Sequence, residues 1–600
     1  SGSGSGSGAG GSDGGSGDTS GGGAGSGGAS GGGSGKESGA KVSINSVKIA
    51  DASVSYANHG TGTAASFFIT DARLDLDGGT ANASARMTFD GNPLFIDLAA
   101  RPLEGSPNDA LVNASAFFGG ATIQATGKIT NFMEPRMFSA VIKASSDDLS
   151  LFPGMPKLFS KPASLEAEIV GAGGIVEIAS FDAKYDSASI SGSAAADLSG
   201  KPRISLSATM PFLDIPNIFY PGWEEAYRQR VLSGQEPPDD GEETPPGAKA
   251  FRGAPLPFGE MGLFDADLDI SIGELKAMPD MRATNLALKA SLHDGEAAIA
   301  PLSFDYMGGK ASIFAIADNR HDRLNGQAAL RADDISIGRI IDSTGYEGVF
   351  EDGPANADLA LSGHGADLAE FMAGLNGYIK AWTKGRMTGY RIERLFAAQD
   401  PIIQTLRSAM RTARKEESRI QCAVANLPIR GGVAHSFRGI AIQTDDSNII
   451  ADGSVDFAQE KMDVQMITID KGTNIIGTIT DMIKIQGSIA EPQIALNTEK
   501  VAEKAVSTGV IAAGIGLATG GVGLIAAGIG LAGSNWITAM ESDPNPCMTA
   551  FEGAAPGSSK EEFAGQPFLR ADLEQRARER LAANSKAVRD AIGLAKKSIK

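Results

Sequence analysis

From Lys41 to about Asn497 the apolar residues fall at every second position. Val42 and Ile44 alternate with polar neighbours, as do Ala52, Val54 and Tyr56. Phe67 and Ile69, Leu74 and Leu76, then Ala83, Ala85, Met87 and Phe89 carry the rhythm on. It returns at Ala121, Ile123 and Ala125, at Ile204, Leu206 and Ala208, at Leu286, Leu288, Ala290 and Leu292, and at Met462, Val464 and Met466. Successive side chains of a strand point to opposite faces, so this alternation predicts half-buried antiparallel strands with one apolar and one polar face. Turn residues punctuate the pattern at Asp77-Gly78-Gly79, Asp90-Gly91-Asn92-Pro93, Met307-Gly308-Gly309 and Asp452-Gly453.

The strands also recur as a unit. Ser180-Phe181-Asp182-Ala183-Lys184-Tyr185 followed by Ala188-Ser189-Ile190-Ser191-Gly192 parallels the stretch from Ser303-Phe304-Asp305-Tyr306 to Lys310-Ala311-Ser312-Ile313. Looser copies open at Phe117 and Asn448. Units that cannot bury their faces alone predict a stacked assembly. The expected fold is mainly β: an elongated, curled, mostly antiparallel sheet of repeated β units with an apolar groove, plus a few helices and a C-terminal helical region. The predicted layout is a Gly/Ser linker over 1–40, a repetitive β region over 41–328, a second β region over 329–497, an uncharged Gly-rich segment over 498–540 and a tail with a basic helix over 541–600. Residues 229–253, rich in Pro, Glu, Asp and Gly, read as an exposed disordered insertion. Helices are expected over 366–375 and over 391–415, the second broken at Pro401.

Ala505 to Met540 contains no charged residue. Such a length could span a bilayer once or form a hairpin of two short helices around Gly520-Gly521. Two readings stay open: a hairpin that closes the end of the sheet, or one that touches a membrane. Val510, Ile511, Ile515, Leu517, Leu524, Ile525, Ile529 and Leu531 are the membrane- or groove-contacting candidates, with Trp536 suited to an interface. The basic helix after Ala571 suits an anionic lipid surface, or is simply solvated. Residues 1–40 are nearly all Gly, Ser and Ala, and the chain begins at Ser1, so a preceding N-terminal part is expected.

Composition narrows the function. The 600 residues carry 53 Lys and Arg against 72 Asp and Glu, a formal net charge of -19, which disfavours nucleic acid as a partner. No zinc-protease helix or phosphate loop is present. Gly521-Val522-Gly523-Leu524-Ile525-Ala526 matches a dinucleotide fingerprint in form, but lacks the preceding strand and the acidic residue that the chemistry needs. The five histidines are scattered in sequence, and no cofactor or metal is expected. Cys422 and Cys547 lie in no metal or redox motif; they are two buried thiols, or one disulfide if the compartment is oxidising.

From about Ala329 the order of short motifs resembles the C-terminal region of the AsmA family of bacterial envelope proteins. Ala332-Asp333-Asp334-Ile335-Ser336-Ile337-Gly338 begins it, and Gly348 precedes Ala357-Asp358-Leu359-Ala360-Leu361-Ser362-Gly363-His364-Gly365. Leu375-Asn376-Gly377, Gly385-Arg386-Met387-Thr388-Gly389, Gly431-Gly432-Val433-Ala434 and Gly453-Ser454-Val455-Asp456 follow, and Gly487-Ser488-Ile489 with Pro492-Gln493-Ile494 close it. The resemblance implies a non-enzymatic protein associated with the inner membrane, its β region facing the periplasm. It also implies an architecture like that of bridge-like lipid transporters and a part in outer-membrane biogenesis. A long sheet with one apolar face must pack on something or hold something apolar. Phospholipid and membrane are the expected partners. The alternative is an assembly factor that acts on outer-membrane proteins without carrying lipid.

Overall fold

The computed structural model describes residues 45–497 apart from a series of connecting segments, the longest of them 220–250 and 392–416, together with residues 543–552 and 566–599. The linker over 1–40, the insertion over 229–253 (save Phe251), the helix over 391–415 (save Arg391) and the uncharged segment with all nine of its candidate residues lie outside the described residues.

One sheet of 25 strands takes up most of the rest. Its first part is β1 (Ser46–Asn58), β2 (Thr63–Asp77), β3 (Thr80–Phe89), β4 (Asn92–Leu103), β5 (Ser106–Phe118) and β6 (Ala121–Thr130). Next come β7 (Met137–Ser146), β8 (Ala163–Ala172), β9 (Ile175–Tyr185), β10 (Ala188–Asp197) and β11 (Arg203–Asp214). Then follow β12 (Asp265–Lys276), β13 (Arg282–His293), β14 (Glu296–Tyr306), β15 (Gly309–Asp318), β16 (Leu324–Ser336), β17 (Pro354–Gly365) and β18 (Asn376–Thr383). The last are β19 (Met387–Arg391), β20 (Glu417–Arg430), β21 (Val433–Thr444), β22 (Ser447–Asp456), β23 (Lys461–Asp470), β24 (Thr478–Ser488) and β25 (Pro492–Asn497).

Neighbours in sequence are neighbours in the sheet, as the short Gly-containing turns require. β18 and β19 lie end to end along β20. β11 and β12 run parallel, with Leu206 beside Leu268, while the other pairings are antiparallel. A parallel step needs a long crossover, and the Pro-rich insertion falls within that connection. The turn expected at Asp452-Gly453 is not one: both residues lie inside β22. Gly453 has a φ of 153°, and a Cβ there would sit 2.2 Å from the carbonyl oxygen of Asp463. Close strand approach, not a chain reversal, is what that glycine serves.

Five α-helices are described: α1 (Ile215–Phe219), α2 (Ile337–Ser343), α3 (Leu368–Ala373), α4 (Pro546–Glu552) and α5 (Gln566–Ile599). α3 falls where a helix is expected. α5 buries Leu573, Ala577, Val588 and Ile592, a helical stripe, and its Leu573 and Ala577 pack on Ala300, Phe314 and Ala329 of the sheet. Burying a side chain such as Leu573 contributes about 1.5–3 kcal/mol. Its basic residues also turn to the sheet. Arg570 Nε lies 2.9 Å from Asp358, Arg580 Nε 3.1 Å from Glu296, and Arg589 Nε 2.9 Å from Asp267. The expectation of a merely solvated helix is therefore replaced by a packed one. α4 docks Cys547 and Ala550 against Val424 and Ala441. A disulfide joins Cys422 to Cys547, resolving the two open readings of these cysteines.

Candidate functional site

The strand registers can be followed residue by residue across the sheet. From β2 to β10 one such row reads Leu76, Ala81, Ala100, Val112, Gly127, Ala140, Ile169, Ile178 and Ala194. From β11 to β18 it continues through Leu206, Leu268, Ala290, Ile299, Ala315, Ala328, Leu361 and Gly377. From β20 to β25 it ends in Ile429, Ala434, Val455, Met462, Gly487 and Pro492. Every member is apolar, glycine or proline. Registered partners share a face, so the row is one uninterrupted apolar track across the sheet.

A row on the opposite face has the opposite chemistry. Arg73, Ser84, Asp97, Ser115, Gln124, Lys143, Glu166, Asp182 and Ser191 are in register from β2 to β10. Its continuation includes Thr209, Ser271, Ser303, Ser312, Arg331, Asp358, Lys380 and Asn426, with Ala287 the one apolar member. Lys143 and Glu166 pair at 2.8 Å on this face. β3 shows the contrast locally: Ala83, Ala85 and Met87 are half-buried, while Asn82, Ser84 and Arg86 are exposed.

Helices α4 and α5 sit on the polar face, reached through Val424, Phe314 and Asp358, which alternate with apolar-row neighbours. The apolar face carries α3 instead. There Phe371 and Met372 pack with Leu361, Ile379, Ile429 and Ala434. Phe371 lies over Gly326 and Gly363, where a Cβ at Gly363 would fall 2.9 Å from its ring. Asp367 caps α3 by accepting the Glu370 amide at 2.7 Å, and Arg323 pairs with Glu370 at 2.7 Å. Along β1–β11 the apolar face mixes buried residues such as Phe118, Ala121, Ala167 and Ala208 with exposed ones such as Val47, Ile49, Leu76, Ile123 and Leu165.

Titratable groups gather at the strand ends of β10–β13. Lys201 Nζ lies 2.5 Å from Asp265 and 2.9 Å from Asp294, and His293 Nδ1 lies 3.2 Å from Asp265. Asp265, His293 and Asp294 bring their ligand atoms within 4.8 Å of one another, the spacing of a metal site. The Lys201 ammonium already occupies the cation position, so the arrangement is an ion-pair hub. Burial works to raise Asp265, but the hydrogen bonds from Lys201 and the Asp294 amide win and hold it below the usual carboxylate range. Farther on, the Tyr378 hydroxyl donates to Asp358 at 2.8 Å, and burial with that partner raises the Tyr378 pKa. Burial lowers the Lys380 pKa; its ammonium stands 3.6 Å from the Phe551 ring centroid. The sequence reading placed the histidines apart and missed this hub, because Asp265 and His293 meet only through the β12–β13 register.

Compared with known proteins, the chain is 21% identical over 255 residues to the AsmA family protein YhjG of Escherichia coli (strain K12). The match covers 42% of this chain and 35% of that protein, so the chain spans about a third of that relative's length. No protein-family model matches the chain, and no solved structure does. The distant similarity supports an AsmA-like chain. No described helix is long and apolar enough to cross a membrane.

Proposed function

We propose that this chain is a non-enzymatic protein of the bacterial cell envelope that shelters phospholipid acyl chains along the apolar face of its sheet. The observation that carries this reading is the apolar row from Leu76 to Pro492, covered by α3 where it crosses Leu361, Ile429 and Ala434 and set against a polar row on the other face. Acyl chains need only a dry, continuous track; headgroups can stay at the rim in water. The Cys422–Cys547 disulfide suits an oxidising compartment such as the periplasm. The distant similarity to an AsmA family protein supports an envelope placement; inner-membrane association and a role in outer-membrane biogenesis are part of the same proposal. The uncharged segment around Ile515 and Ile525 belongs to this reading as a membrane- or groove-contacting element.

The test is lipid extraction from chain purified without detergent. Phospholipid at one or more molecules per chain is the expected result in mass spectrometry. Lipid-free protein would overturn the reading and leave the alternative of an assembly factor that carries none.

A further inference from the structure

Six of the 26 phenylalanines, Phe67, Phe68, Phe89, Phe95, Phe117 and Phe118, lie near one strand-end edge of β2–β5. On the apolar face Phe67 stacks on Phe89 at 4.7 Å between centroids, and Phe89 reaches Phe118 at 5.9 Å. On the polar face Phe95 meets Phe117 at 5.9 Å. The outward side chains are open: Phe68 is 48% exposed, Phe95 40% and Phe117 39%. The outer aromatic character is local. Phe95 and Phe117 are in register with Thr122, Ser145, Ser164 and Lys184 on β6–β9.

Elsewhere helices cover apolar positions of the outer face, but α5 contacts β9–β18 and α4 contacts β20 and β21. Four strand spacings, about 19 Å along the sheet, separate β5 from β9. Residues 1–40 offer no apolar side chain larger than alanine. A docked protein segment covers one face of a sheet, whereas a bilayer surrounds an inserted edge on both. We infer that this phenylalanine edge of β2–β5 inserts into the surface of a lipid bilayer. Phe118 is in register with Leu94, and Ile96 and Leu98 follow on the same apolar face of β4, so on the lipid-binding reading above this edge is where acyl chains pass between bilayer and sheet.

The full chain carrying F117W, and separately S164W from the same outer row, is mixed with vesicles of phosphatidylethanolamine and phosphatidylglycerol bearing brominated acyl chains. Signal from the native Trp223, Trp382 and Trp536 is subtracted with the unsubstituted chain. Emission from F117W should fall at least twofold, with S164W at the control level. Equal quenching of both, or of neither, overturns the inference. The double variant F95S/F117S should float severalfold less with vesicles at an unchanged melting temperature; unchanged flotation overturns it too. Quenching confined to F117W in a chain that carries no lipid would sink the lipid-binding function and leave the membrane contact standing.

Discussion

Cys422 of β20 and Cys547 of α4 are bonded across 125 residues of sequence, with their Cα atoms 6.4 Å apart. The bridge pins the segment after β25 back onto the outer face of the sheet, beside Val424 and Ala441. Asn426 adds a hydrogen bond from Nδ2 to the Ala550 carbonyl at 3.1 Å.

C422S/C547S should therefore lose about 2–4 kcal/mol, most of it through a less constrained unfolded chain. Reduction of the unsubstituted protein should shift its melting temperature to that of the variant. Amide exchange over Pro546–Glu552 is the local check, since faster exchange there without change in β2–β10 marks undocking of α4.

The alternation around Ala83 to Phe89 was enough to place β3, because the period of two is a local property of the chain. Met307-Gly308-Gly309 likewise marked the turn between β14 and β15. What alternation cannot reveal is register. Nothing in the sequence near Ile169 says that it faces Ile178 and Ala140, yet that matching makes separate apolar faces into one track. Asp452-Gly453 misled because glycine serves close backbone approach as readily as reversal. The Asp265 hub and the Arg570–Asp358 pair were hidden for the same reason: their partners are brought together by strand pairing and by helix docking over 212 residues.

A charge placed in the apolar row should interrupt it. I169D/I178D puts two carboxylates on neighbouring strands of the half-buried face, while S180D places one on the exposed outer face. The double variant should carry severalfold less co-purifying phospholipid and lose about 1–3 kcal/mol. S180D should match the unsubstituted chain in both. Equal lipid in all three proteins would show that the row holds none.

Arg570 ties α5 to the sheet by donating to Asp358, which also accepts the Tyr378 hydroxyl. Removing the guanidinium in R570A leaves the half-buried Asp358 carboxylate short of a partner, at a cost of about 1–2 kcal/mol. Hydrogen exchange should rise through the first turns of Gln566–Ile599. A variant such as K586A, at an exposed position of the same helix, should leave both stability and exchange unchanged.

The Asp265 hub sets a pH window. Asp265 and Asp197 are both held below their ordinary value of 3.8: Asp197 chiefly by its hydrogen bond from Ser199, Asp265 by Lys201 and the Asp294 amide against its burial. A carboxylate lowered on folding contributes its full stability above the ordinary value and loses it as pH falls through the folded one. Lys201 runs the other way. Burial works to lower it, but Asp265 and Asp294 raise it above 10.5, so its contribution is complete below that value and is lost as pH rises through the folded one. Stability should thus be flat between pH about 5 and 9 and fall on both sides. D265N should lose about 1–3 kcal/mol at pH 7, because Asp265 is only 1% exposed and Lys201 would trade its buried carboxylate for a neutral amide while keeping Asp294. It should also flatten the acid limb of a melting-temperature profile taken from pH 7 to pH 3. An unchanged acid limb in D265N would show that other carboxylates govern acid unfolding.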